Sequence, residues 1–478
     1  MTERSSRTRG VVVGLLVAAG ATAACGENLA LITQVGKLQA VERAQPTSTQ
    51  TQVIAGPVAM LAEQWTHDGT KLAYLANGQD GLASVHVVDI QAGTDIIVSG
   101  DHHVMAVQWT PDGKRLGFAT FDEEKQQGAI YLASSTGGTP VLVSGTLNPG
   151  LSVDYVFSAD GRYLAFGVPD PADRTRRTFA ITDLTTQQPR EISGINAMRW
   201  AWSPKQPILA FVGIPNGDKK GFLYTVGVDG KAPVQVNKGP EEVLAFEWSP
   251  NGRHLVYRVA PFPTAGRAYI VDTATGQSAI LHGTANVVNF VWSPDGQSFV
   301  VKDSDPSSSR AVERLRAGSL TEPLTGDSWI VPESLGCTRL CWSQKGDQLA
   351  FLRDYELFVL DMRTRKAASV HKVLKIEAMS WRPDGEALLA VAGHPKERAL
   401  VLIVIELGPN GQSTHKLISG TFRCPLSPDW SPDGKNILVF AHLSKEEAMA
   451  LVFDPANPEN EVRLSEHAAG GSWYPRPW

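Results

Sequence analysis

A five-residue turn, Trp292-Ser293-Pro294-Asp295-Gly296, keeps returning along this chain and limits what it can fold into. It recurs as Trp430-Ser431-Pro432-Asp433-Gly434, and with small changes from Trp109, Trp248 and Trp381. Looser copies begin at Trp65, Phe157, Trp202 and Trp342. Serine suits the first position of a type I turn, proline pre-sets φ at the second, Asp tolerates the third, and glycine accepts the positive φ that follows. A type I turn closed by a left-handed glycine is a common hairpin connection. The tryptophan ends the strand entering the turn, where its ring packs between sheets.

The flanks read as strands. Leu72-Ala73-Tyr74, Leu116-Gly117-Phe118, Leu164-Ala165-Phe166 and Leu209-Ala210-Phe211 follow successive turns with period-two alternation. A second run ends in an aspartate, as in Tyr269-Ile270-Val271-Asp272, and a third precedes the strand leading to the next aromatic residue. That makes four strands per unit. The aromatic positions lie 39 to 50 residues apart, a period that with four strands per unit marks a β-propeller. One such sheet cannot bury both faces, so units must stack radially. The expected fold is all-β, a β-propeller of four-stranded antiparallel blades in one ring of eight or nine. Two smaller rings in tandem are the alternative, but no linker separates two halves.

These motifs resemble the WD40-like repeats of TolB-type propellers, whose blades share the Trp-Ser-Pro-Asp-Gly turn and the Leu-Ala-Phe strand after it. The resemblance covers residues 57–478 as a TolB-like domain, most specifically 57–453. It implies fold but not function, because such blades serve binding proteins, peptidase domains and scaffolds alike. The α/β domain that precedes the propeller in that family has no counterpart in residues 26–56.

Residues 1–25 read as an export signal: Arg4, Arg7 and Arg9 precede an uncharged apolar stretch too short to span a bilayer. The arginines are not adjacent, so the signal is not of twin-arginine type. Ala21-Thr22-Ala23-Ala24-Cys25-Gly26 resembles a bacterial lipoprotein cleavage site, which implies that Cys25 is the lipidated first residue. Thr22 departs from the usual leucine. Ordinary cleavage after Ala23, leaving a soluble protein, and an uncleaved segment are the alternatives. A lipid anchor would hold the chain at the membrane, and Gly26 in place of aspartate implies the outer membrane, facing the periplasm. Residues 26–56 include the polar run Gln45–Gln52 and are expected to be a flexible tether, with only a transient helix over Leu29–Val41.

Charge sorts the partners. The net charge is −5, and removing residues 1–25, with Arg4, Arg7, Arg9 and Glu3, leaves −7. A nucleic-acid surface would be basic, so none is expected.

Enzyme signatures are absent from the sequence. There is no Gly-x-Ser-x-Gly elbow, no Walker pattern and no His-Glu-x-x-His. No cofactor or metal is expected: Asp101-His102-His103 lacks further ligands nearby, and Asp303-x-Asp305 lacks the rest of a calcium loop and reads as loop. Cys337 and Cys341 lie about 13 Å apart along a regular strand, beyond disulfide reach. A bond from either to Cys424 and three free thiols both remain open.

In a propeller the outer strand of one blade crosses one face to the inner strand of the next. In TolB-like proteins that face and the channel mouth are the usual place for partners. Here those connections hold Asp101, His102, His103, Asn196, Glu241, Glu242, His282, Lys375, Arg423 and His467, a mixed polar set. The expectation is a non-enzymatic envelope lipoprotein whose propeller is a protein-binding platform. One alternative is a propeller enzyme acting on carbohydrate or a small molecule, with Asp101, Glu241 and Glu242 facing one another across the channel. The other is a structural spacer. The closing run Trp473–Trp478 is expected to pack and complete the ring.

Overall fold

The computed structural model describes residues 28–35, 38–44, 51–58 and 60–474, apart from 78–81, 123, 148–153, 171–172, 174–175, 261–266, 282–286, 305–312, 321–327, 373–374, 395, 409–412, 420, 425 and 443–447. Within them the repeat becomes nine sheets of antiparallel strands, the blades of a propeller. Blades 1 to 9 cover residues 60–97, 104–142, 155–192, 195–235, 242–280, 287–330, 337–372, 376–417 and 426–474. In each, the strand preceding the aromatic turn is innermost, and the following strands step outward in chain order.

The turn sequence explains its own geometry. The Gly296 amide donates to the Ser293 carbonyl at 2.8 Å, and glycine takes φ +67°. Ser293 Oγ donates to Asp295 Oδ1 and accepts from the Ser298 amide at 2.9 Å, closing the hairpin from inside. The same network recurs at Ser431 and Asp433. A Cβ on Gly296 would come within 2.9 Å of the Asn251 amide nitrogen, because this turn lies against the turn of the preceding blade. Asn251 replaces the usual aspartate there, and its Nδ2 donates to the Gly296 carbonyl at 3.0 Å.

The aromatic residues lock blade to blade. The indole N–H groups of Trp109, Trp202, Trp248 and Trp381 donate across the interface to the carbonyls of Gln64, Val156, Ala201 and Cys341, all at 2.9–3.0 Å. Each acceptor stands one residue before the aromatic residue of the previous blade. The core is a series of apolar layers between sheets, such as Trp292, Phe299 and Val301 of blade 6 against Val256 and Ile270 of blade 5.

The N-terminal stretch differs from expectation. Residues 26–56, read as a tether, contain strands β1 (Asn28–Val35) and β2 (Leu38–Ala44) and most of β3 (Thr51–Val58). They extend the sheet of blade 9 to seven strands, because β1 pairs with the long outer strand Val462–Tyr474, Leu29 opposite Trp473. That strand offers an unpaired edge, which β1 satisfies. From β3, Ile54 and the buried Ala55 pack on Leu72, Tyr74 and Val88 of blade 1. One element thereby joins the last blade to the first. Trp473 and Tyr474 close the ring as backbone partners; residues 475–478, the signal segment and Cys25 lie outside the described residues.

Two smaller readings also change. His467 lies within the strand Val462–Tyr474 instead of a loop. Asp303 lies in the strand Ser298–Ser304, 3% exposed, held by Arg314 Nε at 3.0 Å and Arg316 Nε at 2.9 Å. Cys337, Cys341 and Cys424 are free thiols.

Candidate functional site

The up-and-down order of each blade divides the ring into two ends. Aromatic turns and the third-to-fourth strand turns share one end. Connections between blades share the other with the second-to-third strand turns, and Asp101, His102, His103, Asn196, Glu241, Glu242, Lys375 and Arg423 lie at that end. His282 falls outside the described residues.

On that face the single residues have local work. His102 packs at a tilt against Tyr131 with centroids 4.1 Å apart, and His103 Nδ1 accepts from the Ala83 amide at 3.1 Å, so the two rings serve different neighbours. Asn196 Oδ1 accepts from the Arg177 amide at 3.0 Å. Lys375 pairs with Glu377 at 2.7 Å, and Arg423 and Asp101 are exposed. Glu241 and Glu242 stand together at the top of blade 5, whereas Asp101 precedes blade 2, three blades away. Among the described residues no group of three or more metal-ligating side chains converges.

A feature of the inner strands was missed. In seven of the nine, pairing slips by one residue near the loop end, leaving Leu61, Met105, Met198, Leu244, Val288, Thr338 and Glu377 as the extra residue. The two inner strands without it, Tyr155–Phe157 and Leu426–Trp430, are the shortest. Such a β-bulge turns one side chain out of the ladder. Met105, Met198 and Leu244 are accordingly 52%, 51% and 44% exposed. Met105, Met198 and Leu244, in blades 2, 4 and 5, give the channel mouth an apolar arc, and Thr338 and Glu377, in blades 7 and 8, give it a polar one. Exposed Leu82, Leu335 and Tyr355 lie in connections on the same face. No sequence pattern marks a one-residue slip in a six-residue strand, but an apolar residue breaking the period-two alternation is its trace.

Glu247 was missed as well. It stands one residue before Trp248, the position whose carbonyl elsewhere accepts the next blade's indole, and burial pushes its carboxyl up to about 7. Its counterpart Asp429, on blade 9, is exposed.

No family model and no curated protein matches the chain. Among solved structures it is similar to a eukaryotic initiation factor, at 14% identity over 94% of this chain and 99% of that one, with a TM-score of 0.52. It is also similar to a putative TolB from Agrobacterium tumefaciens, at 18% identity over 54% and 88% of the two chains with a TM-score of 0.31. A third is an oligogalacturonate lyase from Vibrio parahaemolyticus, at 11% identity over 80% and 97% with a TM-score of 0.36. At such identities likeness speaks to fold alone: this chain is a β-propeller.

Proposed function

We propose that this protein is a non-enzymatic binding platform of the bacterial cell envelope, exported and held at a membrane by a lipid on Cys25, with its loop face presented to an envelope protein. The observation that carries the reading is the apolar arc at the channel mouth. Burying an apolar side chain of this size contributes about 1.5–3 kcal/mol, so leaving Met105, Met198 and Leu244 half in water has a cost that a partner removes. Methionine adapts to irregular partners and is over-used on such surfaces. A structural spacer gives no reason for bulges that turn Met105, Met198 and Leu244 into solvent.

The test is crosslinking in intact native cells, with affinity purification on a C-terminal tag and mass spectrometry of both partner and N-terminal peptide. The expected result is one or two envelope proteins crosslinked to the loop face, lost in the Met105→Asp/Leu244→Asp double variant. Recovery of the propeller alone would sink the reading. The rival, an enzyme acting on carbohydrate or a small molecule, draws on Glu247, a carboxyl kept protonated near neutral pH as a general acid would be. Turnover of a glycan by wild type and not by Glu247→Gln would establish it.

A further inference from the structure

Arginines on this protein are mostly occupied, and the exceptions fall in one place. Arg162, Arg177, Arg253, Arg353 and Arg382 each pair with a carboxylate, and Arg365 lies over the Trp329 ring. Arg115, Arg176 and Arg190 hold carbonyl or amide oxygens instead, whereas among the described residues Arg199, Arg267, Arg339, Arg398 and Arg423 hold neither, and all five are exposed. All five also lie toward the loop end: Arg199 and Arg339 on inner strands just past the bulge, Arg267 and Arg398 beside second-to-third strand connections, Arg423 between blades 8 and 9.

Three of them, Arg339, Arg398 and Arg423, run from blade 7 through blade 8 to the connection before blade 9, and the bulge residues of blades 7 and 8 are polar. In that sector Arg353 holds Glu333, Lys372 holds Glu356 and Lys375 holds Glu377. What remains without a partner among the described residues is Arg339, Lys396, Arg398 and Arg423 against Asp354 and Glu397, an excess of positive charge on a chain whose net charge is −5. Tyr355 is 61% exposed and Leu335 is 51% exposed within this sector, and Lys375 feels the fields of both Tyr355 and Arg339. Arginine and tyrosine dominate protein-binding hot spots, and a guanidinium matches a carboxylate in two parallel hydrogen bonds.

We infer that the platform's partner is an acidic, partly apolar protein segment: its carboxylates meet Arg339, Arg398 and Arg423, from blade 7 to the connection before blade 9, and its apolar side chains cover the arc of Met105, Met198 and Leu244. This rests on the platform reading and adds the chemistry of the occupant. Exposed Tyr355 and Leu335 among the cations favour such a segment over an anionic lipid headgroup, which would take the charges alone.

Fluorescence anisotropy on the intact mature protein tests it with short labelled peptides of alternating leucine and glutamate, the glutamine and lysine equivalents, and vesicles of phosphatidylglycerol. The glutamate peptide is expected to bind most tightly and to weaken with salt. Arg339→Glu/Arg423→Glu should weaken it by about tenfold or more and leave the glutamine peptide unchanged; Arg339→Gln/Arg423→Gln should fall between. If glutamate and glutamine peptides bind alike and charge reversal moves neither, while Met105→Asp/Leu244→Asp abolishes both, the acidic partner is refuted and the platform stands. If no peptide binds, both ideas fall. Arginine-dependent binding of vesicles without any peptide would replace the acidic segment with a lipid headgroup.

Discussion

The two ends of the ring follow opposite rules. At the turn end most blades repeat a hydroxyl, a carboxylate and a glycine, with departures such as Asn251 and Arg382, and neighbouring turns touch closely enough that Gly296 has no room for a methyl group. At the loop end no two connections match, bulges push Met105, Met198 and Leu244 into solvent, and arginines stand without carboxylates. Repetition at one end fixes blade spacing, which frees the other end to vary without loss of the ring. A platform of this design separates stability from recognition.

The comparison breaks most visibly at the aromatic layer. Trp292 is 1% exposed, and Trp292→Ala should cost about 3–5 kcal/mol, read as a lowered midpoint in chemical denaturation with partner binding kept at low denaturant. Next comes Gly296→Val, which forces a β-branched residue into positive φ against Asn251 and should cost about 1–3 kcal/mol. Gly276 has φ +70° with nothing within 4 Å of an added Cβ. The same change there carries the backbone penalty without the clash, and equal costs at the two sites would deny that neighbouring turns touch.

Glu247 supplies a pH arm. Its carboxyl is raised from 4.5 to about 7 by burial, so the folded state holds a proton that the unfolded chain releases. Its stabilising share is full below 4.5 and lost as pH rises through about 7. Glu247→Gln should flatten that decline by about 1–3 kcal/mol, measured as denaturation midpoints between pH 5 and pH 8. An unchanged slope would place the carboxyl in water. Smallest is Met105→Asp, expected to shift stability by no more than about 0.5 kcal/mol while weakening the crosslinked partner. A large stability loss there would make the arc part of the core.

Legibility follows the same division. The turn end could be read because its geometry is written locally: Ser293, Asp295 and Gly296 meet one another within a hairpin. The loop end could be read only as an inventory, since Arg353 and Glu333 reveal their pairing, and Arg339 its lack of one, only after the chain is folded. His102 looked like half of a histidine pair, yet the ring it meets, Tyr131, lies two strands away. Strands β1 and β2 were hidden for a different reason. β1 takes its outer partner from the far end of the chain, and Gln34 and Gln39, which face each other across the β1–β2 hairpin, resemble a linker.

That pairing bears on the order of assembly. Leu29 finds Trp473 only after every blade between them has been made, so the clasp is the last contact a growing chain can form. Blades 1 to 8 can condense on their neighbours in turn, with Ala55 already against Leu72 and Tyr74 of blade 1, while β1 keeps an unpaired edge until Val462–Tyr474 is made. Such a distant pairing is slow to form, so the ring closes only when the final strand has been made.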